Sequence, residues 1–244
     1  MTRAVIALVM MALATSAQAA SPLVYLRDID PSIAQDMRYA GRDNFTGKAL
    51  PGYNAPECML LRPVALALQR VQAELTAANL SLKVYDCYRP ARATGAMAAW
   101  ARDPKPAVDT TRFYPALDKS KLFALGYISN FSAHSRGVAV DLTIVPRGSA
   151  NPAFDANVNY GPCTAPQAQR ASDNSLDMGT GYDCFDTRSH TRSAAISAAQ
   201  AANRRVLLDA MQKHGFSNYK REWWHFSLNS ADSGVAYDLP VAPR

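Results

Sequence analysis

Two of the four histidines in this 244-residue chain stand where their neighbours could give them chemistry. His134 lies in SAHSRGVAVD (132–141), ahead of Asp141, and His225 closes Glu222-Trp223-Trp224-His225. Neutral imidazoles and a carboxylate are good zinc donors, and three protein donors leave a fourth position for water. The metal lowers that water's pKa, and a glutamate outside the donor set can take its proton. The expectation is one Zn2+ per chain on His134, Asp141 and His225, with Glu222 as general base. Arg89 precedes Pro90 at a strand end. There a cation can face a developing oxyanion, or can simply make a surface salt bridge.

The elements that carry these residues must bend to bring them together. Residues seven apart on an unbroken strand point to opposite faces, so His134 and Asp141 need a turn between them, which Gly137 permits. Glu222 and His225 likewise face oppositely on a plain strand, so Glu222 belongs at a strand entrance or on a bend. Trp223 and Trp224 read as packing residues that keep the wall of the site dry.

Pro63 opens a helix with Val64, Leu68, Val71 and Leu75 on one stripe and a stop at Asn79. SLKVYDCYRP (81–90) reads as an alternating strand, and residues 91–101 as a second helix. Residues 103–130 are loop-rich, a strand follows Gly137, and 145–177 reads as a long surface excursion held at Cys163. A third helix covers 198–214, with Ala199, Ala202, Val206 and Ala210 on its face and Gly215 beyond its end. NYKREWWHFSL (218–228) reads as a strand. The sum is an α+β domain, helices packed on a mainly antiparallel sheet.

The first residues stand apart from that fold. A short basic start, an apolar run over 4–14 and small residues at Ala17 and Ala19 read as a signal peptide over 1–19, leaving one domain over 20–244. The apolar run is too short to span a bilayer, and no later segment is long and apolar enough. The product is expected to be exported, periplasmic or secreted, with no membrane anchor. The formal charge is +6, but the cations are scattered without interleaved aromatics, which argues against nucleic-acid binding. Cys58, Cys87, Cys163 and Cys184 suit an oxidising compartment and lack a zinc-finger spacing. They allow three pairings, of which Cys58–Cys87 and Cys163–Cys184 close local loops; buried thiols are the alternative. Nothing in the sequence sets the oligomeric state.

At this point the chain resembles the D-alanyl-D-alanine dipeptidases of the vancomycin-resistance type. These are zinc peptidases sharing a fold with D-Ala-D-Ala carboxypeptidases and the hedgehog signalling domain. The resemblance rests on DNFTGK (43–48), YDCYRPARA (85–93), SAHSRGVAVDLT (132–143), MGTGYDCFD (178–186), SH (189–190), NRR (203–205), GF (215–216) and EWWHF (222–226). It implies His134, Asp141 and His225 as zinc ligands, Glu222 as base and Arg89 as the stabiliser of the transition state. It also implies Asp183 as the holder of the substrate's free ammonium, Tyr39 beside it, Ser132 as a substrate contact and Asp86 as the group that orients Arg89. His190 is a structural hydrogen-bonder and the reserve candidate for a partner behind the metal, and His214 suits a helix C-terminus. The implied activity is hydrolysis of a small D,D-dipeptide to two D-alanines, in cell-wall dipeptide salvage or turnover. The rivals are a D,D-carboxypeptidase or endopeptidase on peptidoglycan stems, and a non-catalytic zinc-bearing binding module.

Overall fold

A computed structural model describes residues 21–244; the expected signal peptide lies outside the described residues. A small antiparallel pair, β1 (Leu23–Tyr25) and β3 (Met59–Leu61), stands beside a five-stranded sheet. That sheet runs β2 (Ala34–Gln35), β4 (Leu80–Asp86), β5 (Ala139–Pro146), β7 (His225–Ser227), β6 (Ser217–Asn218). Only the β2–β4 pairing is parallel, so the expected α+β, mainly antiparallel class is the one observed.

Four α-helices accompany the sheets: α1 (Leu26–Ile29), α2 (Arg62–Ala77), α3 (Ala91–Arg102) and α4 (Ala198–Lys213). Pro63 sits in the first turn of α2, where its missing N–H costs nothing. Val64, Leu68, Val71 and Leu75 are buried as their spacing demands. Asn79, just past the helix, takes a left-handed φ of 59° and turns the chain into β4. Among the described residues, no helix is long and apolar enough to cross a membrane.

Three elements depart from expectation. The inward face of α4 is Arg204, Leu207, Ala210 and Met211, while Val206 is exposed. The helix is rotated because the Arg204 guanidinium turns inward and donates to the carbonyls of Met178, His190 and Arg188. The stretch 218–228 is not one strand: β6 and β7 are joined by a turn, held by Glu222 N–H donating to the Tyr219 carbonyl at 2.9 Å. Strand β4 ends at Asp86, not at Pro90, because a register shift between Val84 and Asp86 breaks the ladder.

Both faces of β4 and β5 are covered. One large core gathers α2, α4 and the sheet, with Leu82, Val84, Val140, Leu142, Trp224 and Phe226 fully or almost fully buried. A second core, rich in aromatics, packs Tyr39, Phe45, Tyr53, Tyr88, Met97 and Trp100 behind the cleft described next. Cys58–Cys87 and Cys163–Cys184 are both disulfide-bonded, the local pairing of the three. The first ties the β3 entrance to the end of β4; the second ties the excursion, which begins after β5 at residue 147 and not at 145, to the residue after Asp183.

Candidate active site

Gly137 is the hinge on which the site turns. His134–Arg136 form a short 3-10 turn, and Gly137 follows at φ 70°, a left-handed conformation that L side chains rarely adopt. A Cβ there would come within 2.7 Å of Leu23 Cδ2. The chain then enters β5, where Asp141 pairs directly with His225 on β7. The bend between His134 and Asp141, required by strand geometry, is therefore present.

The two imidazoles and the carboxylate converge. His134 Nε2 lies 3.1 Å from His225 Nδ1 and 3.3 Å from Asp141 Oδ1. His225 Nδ1 lies 2.9 Å from the same Asp141 oxygen. The three donor atoms fall within 4.8 Å of one another, a group that could hold one metal ion. The donor chemistry fits: His134 Nδ1 faces the Cys87 carbonyl at 2.7 Å and donates to it, which leaves the Nε2 lone pair toward Asp141 and His225. Burial opposes ionisation of Asp141, but the two imidazoles hold it below the usual carboxylate range.

Glu222 hangs over this group from the β6–β7 turn, its Oε2 3.8 Å from His225 Nδ1. Burial pushes its carboxyl up to about 8; His225 pulls it down, while Asp141 and Asp183 add to the rise. Arg89 is no surface salt bridge. Its Nε and one terminal nitrogen reach Asp86 Oδ2 at 2.9 and 2.8 Å, and its guanidinium lies over the Tyr39 ring at 5.0 Å. Asp86 is fully buried and also accepts from Tyr53 Oη at 2.5 Å, so its expected place behind Arg89 is the observed one. Burial disfavours the Arg89 cation, but Asp86, Tyr39, Tyr53 and Asp141 together outweigh it and hold the group charged.

Asp183 and Tyr39 also meet. Tyr39 Oη donates to Asp183 Oδ2 at 2.6 Å. Asp183 is buried and held at φ 55°, uncommon for a non-glycine residue and concentrated at functional positions. Burial and then the Asp141 charge push its carboxyl well above the ordinary value, against the Tyr39 hydrogen bond and Arg89. Ser132 lines the cleft, and its Oγ accepts from His134 N–H at 3.2 Å. All eight expected site residues border one cleft of about 250 Å³, whose apolar wall includes Phe45, Met97, Tyr127, Ile128, Phe131 and Phe185.

Other conspicuous residues serve the scaffold. Trp223 and Trp224 are packing residues, as expected, buried in the core behind β7; they do not themselves line the cleft. Trp223 Nε1 donates to Thr180 Oγ1 at 2.9 Å, which steadies the loop carrying Asp183. Asn44 closes the DNFTGK turn by donating to three carbonyls, and so sets Phe45 into the cleft wall. His190 acts through its backbone carbonyl, which Arg204 holds, and not behind the three-residue group. His214 pairs with Glu74. The residue that sequence reasoning passed over is Tyr182, whose Oη donates to Asp141 Oδ2 at 3.0 Å. Its only signal in the chain is its place beside Asp183.

A buried two-histidine, one-carboxylate group with a carboxyl and a guanidinium at its edge is the site of a metallopeptidase. The chain matches the D-ala-D-ala dipeptidase family of peptidases, M15, over residues 19–156 and 149–241, and it belongs to that family. It is similar to a D-alanyl-D-alanine dipeptidase of Enterococcus faecalis, 32% identical across 84% of this chain and 90% of the relative. A dipeptidase of the same description from Streptomyces coelicolor is 32% identical across 89% and 97%. One from Escherichia coli is 31% identical across 86% of each.

Proposed function

We propose that the chain hydrolyses free D-alanyl-D-alanine to two D-alanines, with one Zn2+ held by His134, Asp141 and His225. The observation that carries this reading is the meeting, in one cleft, of that donor group with Asp183 and Tyr39. The donor group can hold a metal, and the second pair can hold an ammonium at the far end of a short substrate. A zinc ion so held supplies Lewis acidity toward the scissile carbonyl and toward water.

The chain's own residues do the rest. Glu222, as the carboxylate, takes the proton of the attacking water and delivers it to the departing amine. Arg89, kept charged and aimed by Asp86, faces the oxygen on which negative charge develops. Asp183 takes the substrate ammonium, whose charge restores the ionised carboxylate that burial disfavours, and Tyr39 steadies it. Ser132 contacts the substrate near His134. The apolar wall displaces water from this small cleft and strengthens each of these interactions.

The test is a substrate panel with and without a chelator. Free D-Ala-D-Ala should be cut, N-acetyl-D-Ala-D-Ala should not, and chelation should abolish turnover. Equal hydrolysis of the blocked substrate would instead favour a D,D-carboxypeptidase.

The two disulfides and the apolar leader support an exported protein acting on dipeptide released from the cell wall. Amino-terminal sequencing of the protein recovered from its host, starting at Ala20, tests that placement.

A further inference from the structure

We infer that Tyr182 is a positioning residue of the metal centre, its hydroxyl holding the outer oxygen of Asp141 so that the inner one alone faces the ion. The inference rests on the metal centre proposed above and assigns a role to a side chain that touches neither substrate nor ion.

The two oxygens of Asp141 have different surroundings. Oδ1 faces the imidazoles, 2.9 Å from His225 and 3.3 Å from His134. Oδ2 faces away from them: it accepts from Tyr182 Oη at 3.0 Å and lies 4.0 Å from an Arg89 nitrogen. A carboxylate free to rotate could swing Oδ2 toward the ion or lose Oδ1 from it. A donor fixed on Oδ2 prevents both, and such outer partners tune a metal site by orienting its ligands.

The donor itself cannot turn away. The Tyr182 ring stacks on Tyr85 with centroids 4.5 Å apart and meets the edge of Trp224 at 5.6 Å. Tyr85 is in turn tied by its hydroxyl to Asp173 of the excursion after β5. The proton assignment is also settled locally. Tyr182 Oη lies 3.4 Å from Tyr39 Oη, but the Tyr39 proton goes to Asp183 at 2.6 Å. The single Tyr182 proton therefore belongs on Asp141, its nearer acceptor. Tyr182 and Asp183 are adjacent, and the left-handed backbone at Asp183 sends one side chain to the donor group and the next to Tyr39. One loop thus sets both ends of the site.

The experiment compares wild type, Tyr182→Phe and Tyr85→Phe, each checked for an unchanged near-ultraviolet circular dichroism spectrum. Zn2+ affinity is measured by competition with a chromophoric chelator, and turnover is read separately. Tyr182→Phe keeps the stacked ring and loses only the hydroxyl; it should bind Zn2+ about 10- to 100-fold more weakly. Tyr85→Phe, which loses its bond to Asp173, should bind Zn2+ as wild type does. Wild-type affinity in Tyr182→Phe overturns the inference and leaves the proposed function standing. A wild type that takes up no Zn2+ overturns the metal centre itself, and the inference with it. Equal weakening in both variants assigns the effect to packing and also overturns it.

Discussion

Asp86 on β4 and Asp141 on β5 are cross-strand partners, two carboxylates set opposite one another in the middle of the sheet. Like charges so placed repel, and the fold offsets this by giving each its own nearest hydrogen-bond partners, with His134 and Arg89 lying between the two. Asp86 takes Arg89 and Tyr53; Asp141 takes the two imidazoles and Tyr182. The cation on the first then lies beside the donor group on the second.

Glu222→Ala should retain a full equivalent of zinc by metal analysis and lose turnover by roughly 10²- to 10⁴-fold, the usual contribution of a positioned base. Its carboxyl is not one of the three converging donors. Substantial residual activity would remove Glu222 as the base.

Asp183→Asn should raise KM for free D-Ala-D-Ala, lowering kcat/KM by roughly 10- to 100-fold, since a charge-assisted contact is lost. Zinc affinity should be unchanged. The same KM in both proteins would show that the ammonium is held elsewhere.

Asp86→Asn keeps the shape behind Arg89 but removes its counter-charge. Steady-state kinetics should show kcat reduced about 10- to 100-fold, with KM little changed, as expected of a group that acts through another. Removing one partner of a buried pair also destabilises, by about 3 kcal/mol or more, which urea unfolding would register.

Gly137→Ala should lower stability by at least about 1 kcal/mol, because a left-handed φ is strained for alanine and its Cβ would meet Leu23. The same change displaces His134, so zinc affinity by chelator competition should fall with it. A variant of wild-type stability and affinity would show that the turn is not under this constraint.

Asp173 supplies a pH dependence remote from the site. Burial raises its carboxyl, but Arg38, Ser175 and Tyr85 outweigh that and hold it below the ordinary value. A depressed folded pKa contributes stability above the unfolded value of about 3.9. That contribution is lost as pH falls through the folded value. Asp173→Asn should therefore be less stable than wild type at neutral pH, with the gap closing below about pH 4. A gap independent of pH would assign the effect to packing.

What the chain alone determined was chemical identity and local form. Scarce histidines, a carboxylate in an apolar strand, a glycine between them and a heptad-like stripe after Pro63 are properties of neighbouring residues. Short-range sterics turn such patterns into turns and helices with little help. The local disulfide pairing was one of three that the chain allowed. Tertiary structure decided what faces what. It rotated α4 so that Arg204 points inward, because three carbonyls of the 178–190 segment needed a donor. It also broke 218–228 into two strands, which put Glu222 on a bend. And it carried Tyr182, 41 residues distant, to Asp141, since ring stacking and a cross-loop hydrogen bond depend on separations in space that no local spacing encodes.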